Sequence, residues 1–485
     1  MNKSITSENE AFTLPGPVDP LSVFSFTFAV AVLFHFLAHP VLPYTTITDL
    51  IGFLSVFFAL LLLIYPRSTL FLCLMALPQI IHYIITSPQG SNHYIMVTFM
   101  NVAISLSALY FIGRSSLADN RTEFYNIFAS SGRFLLVFMY FFGIFHKINP
   151  DFLNPEVSCA VVLFNNITGH FGLDDVTFFH YAAIWGTFIV EGLAMLVLFS
   201  RRWKYWGFVL GMPFHIIISF TGYKFFMNYS SLALALYCLF LPKEFYLGLN
   251  QLFSQIRNKT KLDERRFWVF MRGIMAFTII LVAVYCARAF WSVGGPHTPE
   301  RFVAYTYKCM PLFAVYSLIL YLLVLKYARN IDTSVSEPMY AFPKKSLLII
   351  PVLFVLNGFG PYLGWKTESS ISMFSHLHTE GGTTNHYFFK ELPQVFDYQK
   401  DLVRIIASPD KKLQWYSDNE LSMVYFELQR FVTEHPDVPV VYERNGVRYE
   451  HTGKEDPDLK PVSLLMRKLL LFKPVDFKWP KHCTH

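Results

Sequence analysis

Charge is scarce in this chain. Asp, Glu, Lys and Arg make up 15% of its 485 residues, against about 25% in an ordinary soluble domain. So little charge excludes a fold that faces water on all sides. Other features are missing too. The six cysteines form no CxxC pair and no Cys/His zinc spacing. No basic face interleaved with aromatics suggests a nucleic-acid partner. No internal repeat of the kind many transporters carry is found. Residues 1–20 include Lys3, but also Glu8, Glu10 and Asp19. They lack the basic stretch followed at once by an apolar run that marks a cleavable signal peptide.

What the chain has instead is long apolar blocks. A bilayer core about 30 Å thick asks for roughly 20 such residues per crossing. The blocks are residues 21–36, 47–65, 70–85, 93–112, 134–147, 178–199, 205–220, 225–241, 268–286, 310–327 and 347–363. They predict an all-α polytopic membrane protein with about eleven spanning helices, and the third, fifth and seventh are short or interrupted by polar residues.

Lys and Arg in short loops set orientation. Connections after even-numbered blocks carry Arg67; Arg114, Arg121 and Arg133; Arg201, Arg202 and Lys204; a run from Lys243 to Arg272; and Lys326, Arg329, Lys344 and Lys345. Connections 39–46, 86–92 and 148–176, after odd-numbered blocks, contain neither residue. Lys224 stands alone after the seventh block, and 288–308 is mildly basic. The bias puts residues 1–20 in the cytoplasm, a transmembrane domain at 21–365 and an extracytoplasmic C-terminal region at 366–485. The expected location is a bacterial inner membrane or its equivalent. Cys73, Cys238 and Cys286 then lie within blocks as small hydrophobes. Cys159, Cys309 and Cys483 lie near or beyond the outer surface, where a Cys159–Cys483 bridge is allowed but not required.

The C-terminal region reads as a small α+β module. Residues 420–434 space Leu421, Val424, Leu428 and Val432 as on a helix. Residues 438–451 alternate about Asn445-Gly446, a strong hairpin signal.

Charged and imidazole groups at membrane depth need a reason. Lys147 closes the fifth block. His93 opens the fourth, and His82 and His215 fall in the outer halves of the third and seventh. These four nitrogen bases, from four helices, share one depth near the outer surface. A lysine in an apolar pocket has its charged form disfavoured, and a neutral amine is a base. The bland alternatives are a lysine snorkelling to the interface and histidines bonded within the core. Glu191 reads as a structural carboxylate nearer mid-membrane. After the last block, His376, His378, Glu380 and His386 have spacing that a metal would accept. A polar loop capping the site is the preferred reading, and no metal is expected.

Three stretches carry a resemblance: Asn92-His93 at a helix start, GIFHKINPDF at 143–152 and PFH at 213–215. With GPYLG at 360–364 and the segment running to Gly382, they resemble the vitamin K-dependent gamma-glutamyl carboxylase family, also described as the horizontally transferred transmembrane (HTTM) domain. The likeness covers residues 21 to about 385 and is to a shorter, bacterial-type member. The family's lysine base, in GxxKKLD, falls on Lys147; the lysine before it falls on His146, a departure. In that family the amine deprotonates vitamin K hydroquinone and oxygen adds. The resulting alkoxide takes a γ-proton from glutamate, and the carbanion captures carbon dioxide. The resemblance implies an enzyme of the carbon–carbon lyase class with Lys147, His93 and His215 as catalytic residues. Asn92, His82, His146, Tyr140, His376, His378 and Glu380 are the expected substrate and quinone contacts. It implies reduced vitamin K or another membrane hydroquinone, O2 and CO2 as reactants, with lipid and a protein or peptide acceptor as partners. The tail is too short for the propeptide-gripping domain of the eukaryotic carboxylase, so the acceptor stays open. A non-enzymatic quinone or lipid binder, a transporter, and a membrane subunit for a redox partner are the other readings.

Overall fold

The computed structural model describes residues 16–39, 46–88, 90–114, 116–174, 176–222, 225–295, 298–329, 339–372, 374–452, 459, 461–478, 480–481 and 483. Residues 1–15 and Lys224 lie outside them. The described chain is mostly helical, with one small sheet.

Among the described residues, seven helices are long and apolar enough to cross a membrane: Pro20–Ala38, Ile47–Ile64, Thr69–Thr86, Arg121–Phe145, Thr177–Leu198, Glu264–Ser292 and Pro299–Tyr327. Their starts are encoded locally. Asp19 and Thr46 close capping boxes with Ser22 and Asp49, which satisfies amides that have no intrahelical acceptor. Asp263 and Thr298 cap the next long pair, with Pro299 in the first turn.

The other four apolar blocks are helical but shorter or more polar. Asn92–Leu109 has the length, yet Asn92, His93 and Asn101 dilute its apolar character. Lys204–Ile218 has 15 residues, about 22 Å at 1.5 Å each. Phe226–Phe240 continues after a break into Lys243–Thr260, bent by 100°; counted as one span, the pair brings the total to eight. Ile349–Gly358 has 10 residues. Apolar composition marks all eleven blocks, while uninterrupted length selects seven.

The chain divides into two compact units. The first comprises Met1–Ile85, Met96–Phe138 and Val190–Pro351. In it Pro20–Ala38 packs on Ile47–Ile64 and on Phe226–Tyr237. Buried polar groups pair across helices: Asn101 Nδ2 donates to Gln79 Oε1 at 2.6 Å. Arg133 donates to the carbonyls of Leu239 and Met339.

The second comprises Thr86–Ile95, Met139–Ile189 and Val352–His485. Its sheet contains β1 (Leu402–Ala407), β2 (Ser422–Val424), β3 (Val440–Arg444) and β4 (Val447–His451), all antiparallel, in the order β2-β1-β3-β4. The β3–β4 hairpin turns at Asn445 (φ 52°) and Gly446 (φ 76°), the left-handed pair that a two-residue I′ turn requires. Residues 422–424 are extended, and the helix begins only at Tyr425. Sheet pairing with β1 thus overrides helical spacing at Val424. Val403, Ile405, Leu413, Leu428 and Tyr442 form the core. Arg444 grips Asp401 through two bonds, at 2.9 and 2.6 Å. Glu427 is buried against Arg430, and burial pushes its carboxyl above the ordinary value.

Cys159 and Cys483 are joined across 324 residues of sequence. A loop that long places the stabilisation at the upper end of the roughly 2–4 kcal/mol typical of disulfides. Cys73, Cys238, Cys286 and Cys309 remain as thiols. Alkylation of the unfolded protein should therefore add four groups without reductant and six with it, read by mass spectrometry. Six without reductant refutes the pairing.

Candidate functional site

Within the second unit, the end of helix Arg121–Phe145 shows how the sequence builds the site. Lys147 N–H still donates to Ile144 O at 2.9 Å, and Asn149 N–H then turns back to Lys147 O at 2.8 Å. Asn149 caps the short helix Pro150–Leu153, with Pro150 at its first position, where a missing N–H costs nothing. The turn buries Lys147, leaving its side chain 8% exposed. Its Nζ lies 5.6 Å from the Phe152 ring centroid, within cation–π range.

Residues 367–386 are irregular, yet most of those described are buried. Ser369, Ile371, Phe374 and His376 all have φ between 55° and 61°. Each such non-glycine residue costs on the order of 1–3 kcal/mol and persists only where its surroundings impose it. Buried side chains impose it here. Asn92 Oδ1 accepts from Ile371 N–H at 3.0 Å. Asn357 Nδ2 donates to Ser369 O at 2.8 Å, and His146 Nε2 contacts Ser370 O at 3.3 Å. Asn149 Nδ2 donates to both His146 O and Ser375 O, while its Oδ1 accepts from Phe152 N–H. Asn385 Nδ2 bridges His376 O and Asp151 Oδ2, each at 2.7 Å. Gly364 closes the helical side: at φ 83°, a Cβ there meets Phe396 O at 2.1 Å.

The structure thus gathers three of the four resembling stretches: Asn92 and the 143–152 turn both bond the backbone of the 360–382 stretch. Asn92 and His146 hold consecutive residues of it. His146 Nδ1 also bonds Tyr362 Oη at 2.9 Å. Tyr140 is buried in this unit. His93 is buried too, its Nδ1 2.7 Å from Ser91 Oγ. His82 and His215 belong to the first unit. There His82 packs edge-on against Phe36, and His215 lies beside Tyr229 and Tyr237. Glu191 interacts electrostatically with the same Tyr229.

The four residues with metal-like spacing are not gathered into one ligand set among the described residues. His386 Nε2 meets Phe145 O at 2.8 Å and its Nδ1 accepts from Phe388 N–H. His378 Nδ1 pairs with Glu380 Oε2 at 3.2 Å. His376 Nε2 lies 3.8 Å from Cys159 Sγ. Cys159, His376 and Cys483 do lie within ligand distance of one another, but the two sulfurs are bonded together. The covalent bond excludes them as thiolate ligands while it persists.

Electrostatics around Glu380 are strongly polarised. Burial alone raises its carboxyl, but His378, the Thr379 N–H and Lys473 outweigh burial and hold it down at about 2. Lys481 is also buried; burial lowers its amine, and Glu380, Asp151 and Asp476 oppose that. Comparison with family models, curated proteins and solved structures finds no match to this chain. The chemistry of the site rests on its own geometry.

Sequence reading missed the pinning residues Asn149, Asp151, Asn357, Asn385 and Tyr362. The first two stand inside the quoted motif, as an Asn-Pro-Asp helix start. Tyr362 stands inside the quoted GPYLG stretch, and Asn357 and Asn385 gave no local signal.

Two outcomes follow. Asn149→Ala strips partners from three buried backbone groups, each worth about 1–3 kcal/mol. Amide exchange across 369–376 should accelerate at least tenfold, and unchanged exchange refutes the pinning role. The stabilisation from Glu380 is fully present above the ordinary carboxyl value of 4.5 and is lost as pH falls towards about 2. Melting temperature should therefore drop less steeply between pH 5 and 2.5 in Glu380→Gln than in the native protein.

Proposed function

We propose that this chain is an integral-membrane, vitamin K-dependent gamma-carboxylase-like enzyme. It couples oxygenation of a membrane hydroquinone to carboxylation of an acceptor. The observation that carries this reading is that Asn92 and the GIFHKINPDF turn both bond the backbone of the 360–382 stretch, in the unit that buries Lys147. Non-glycine residues held left-handed in a buried polar loop are the kind of strain that gathers at functional sites.

In this reading Lys147 is the base. It accepts a phenolic proton, and the Phe152 ring beside its Nζ stabilises the cation formed. When bound, the hydroquinone and oxygen supply the stronger base that takes the acceptor's proton. Asn92, His146 and Asn149 hold the loop in the same unit as the lysine. His93 is the buried imidazole assigned to hold the quinone or the oxyanion formed from it. About eleven crossings, a cytoplasmic N-terminus and an extracytoplasmic site complete the proposal, supported by the distribution of Lys and Arg among the loops.

The test is incubation of membranes containing the protein with reduced vitamin K or menaquinol, oxygen and labelled bicarbonate. Epoxide and fixed label are expected. Lys147→Ala should lower epoxide formation at least 100-fold, the lower end of what a positioned base contributes. Full epoxidation by that variant sinks the assignment of the base. Epoxide without label retains the oxygenase and removes the carboxylase.

A further inference from the structure

His378, Glu380 and Thr383, all in the loop after the last apolar helix, place their side chains in a line. Glu380 Oε2 lies 3.2 Å from His378 Nδ1. Across the ring, His378 Nε2 lies 3.2 Å from Thr383 Oγ1. A neutral imidazole carries one N–H and one lone pair, and the hydrogen-bond network assigns which nitrogen has which. An ionised carboxylate only accepts, so Nδ1 donates and the lone pair of Nε2 faces the hydroxyl. The carboxylate is kept ionised by its surroundings. Thr379 N–H also donates to Oε2, at 2.8 Å, and the carboxyl is held at about 2.

Burial is graded along this line. Glu380 is 2% exposed and His378 7%, while Thr383 is exposed. The acid is shut away, and the hydroxyl stands at the surface. The backbone fixes all three residues. His378 N–H donates to Asn385 Oδ1 at 2.9 Å, Asn385 N–H donates to His378 O at 3.2 Å, and Gly381 N–H donates to Gln399 O at 2.8 Å. Thr383 Oγ1 also donates to Glu380 O at 3.1 Å. Its proton is thus shared between that carbonyl and the imidazole, and Oγ1 is kept in front of Nε2. There is room beside it. A Cβ added at Gly382 meets no heavy atom within 4 Å beyond its chain neighbours, among the described residues. Phe477, itself exposed, stands edge-on to His378 with ring centroids 6.4 Å apart, and offers an apolar surface next to the imidazole.

We propose that Thr383 is a nucleophile for acyl transfer, with His378 as its general base and Glu380 as the group that orients the base. The order acid, imidazole, hydroxyl is that of hydrolytic triads, which are recognised by geometry and not by position in the chain. In the first step Thr383 Oγ bonds to an ester carbonyl carbon while its proton passes to His378 Nε2. The ester C–O bond breaks, and the leaving oxygen takes that proton. Water then attacks the acyl-threonine carbonyl and gives a proton to His378. The C–Oγ bond breaks, Oγ recovers the proton, and the free acid departs. The three residues supply a base and its orientation, so the substrate class is an activated ester whose leaving group departs readily, with an apolar part to rest on Phe477. This activity does not depend on the quinol reading.

The full-length protein treated with an alkyl fluorophosphonate tests it. Attack forms an Oγ–P bond, breaks the P–F bond and releases fluoride, and fragmentation mass spectrometry locates the adduct. Thr383 should carry it, and hydrolysis of p-nitrophenyl acetate should fall in proportion to its formation. Thr383→Val changes one exposed side chain at nearly constant shape. It should abolish the adduct and lower hydrolysis at least tenfold, while Thr383→Ser should keep both. His378→Gln should lower hydrolysis about 100-fold, within what a positioned base contributes. Glu380→Gln should lower kcat at least tenfold with KM unchanged, since it acts on the base and not on the substrate. No adduct at Thr383 in the native protein, or undiminished hydrolysis by both Thr383→Val and His378→Gln, overturns the proposal. Epoxide formation from the quinol is read separately, so failure of either activity leaves the other standing.

Discussion

Backbone that leaves helix or sheet while staying buried must find a partner for every N–H and C=O. The segment after the last apolar helix does this with side chains sent from elsewhere in its own unit. Asn92, His146, Asn149, Asn357 and Asn385 each bond the backbone between Ser369 and His378. Four non-glycine residues can be left-handed there because these contacts leave the loop no alternative path. The bonds are individually modest, but each breakage leaves a buried dipole stranded, so the set behaves as a unit.

That constraint gives short motifs a physical meaning. In the turn at 146–152, His146 and Asn149 hold the loop, Pro150 and Asp151 start and anchor the next helix, and Lys147 is carried inward beside Phe152. A rigid surround is what a base needs if it is to meet its substrate in one orientation. The C-terminal strand segment adds to the same rigidity. Val475 pairs with Ser422, Lys473 N–H donates to Thr367 Oγ1, and the Cys159–Cys483 bond fixes the end of the chain.

His146 fits this arrangement as an imidazole. A second lysine at 146 would bring a charge into a place where an imidazole bonds Tyr362 and Ser370 and stacks on the Tyr362 ring. The imidazole serves the packing of the loop, and the amine at 147 lies beside Phe152.

Much of the architecture was legible in the sequence because it is set by local periodicity and by solvent. Apolar blocks gave the helices, Asn445-Gly446 gave the hairpin, and the quoted motifs gave Lys147, His93 and Asn92. Crossing number was less legible, since apolar composition does not reveal where a helix breaks, as it does after Phe240. Asn357 and Asn385 stayed hidden for another reason: their importance lies in what they bond, Ser369 and Asp151, and no local pattern marks that. The sequence by itself determined a helical, membrane-suited chain with a lysine at a helix end. Only the tertiary structure decided which amines are buried and which asparagines hold the loop, because burial and hydrogen bonding are properties of the folded surroundings and not of a residue.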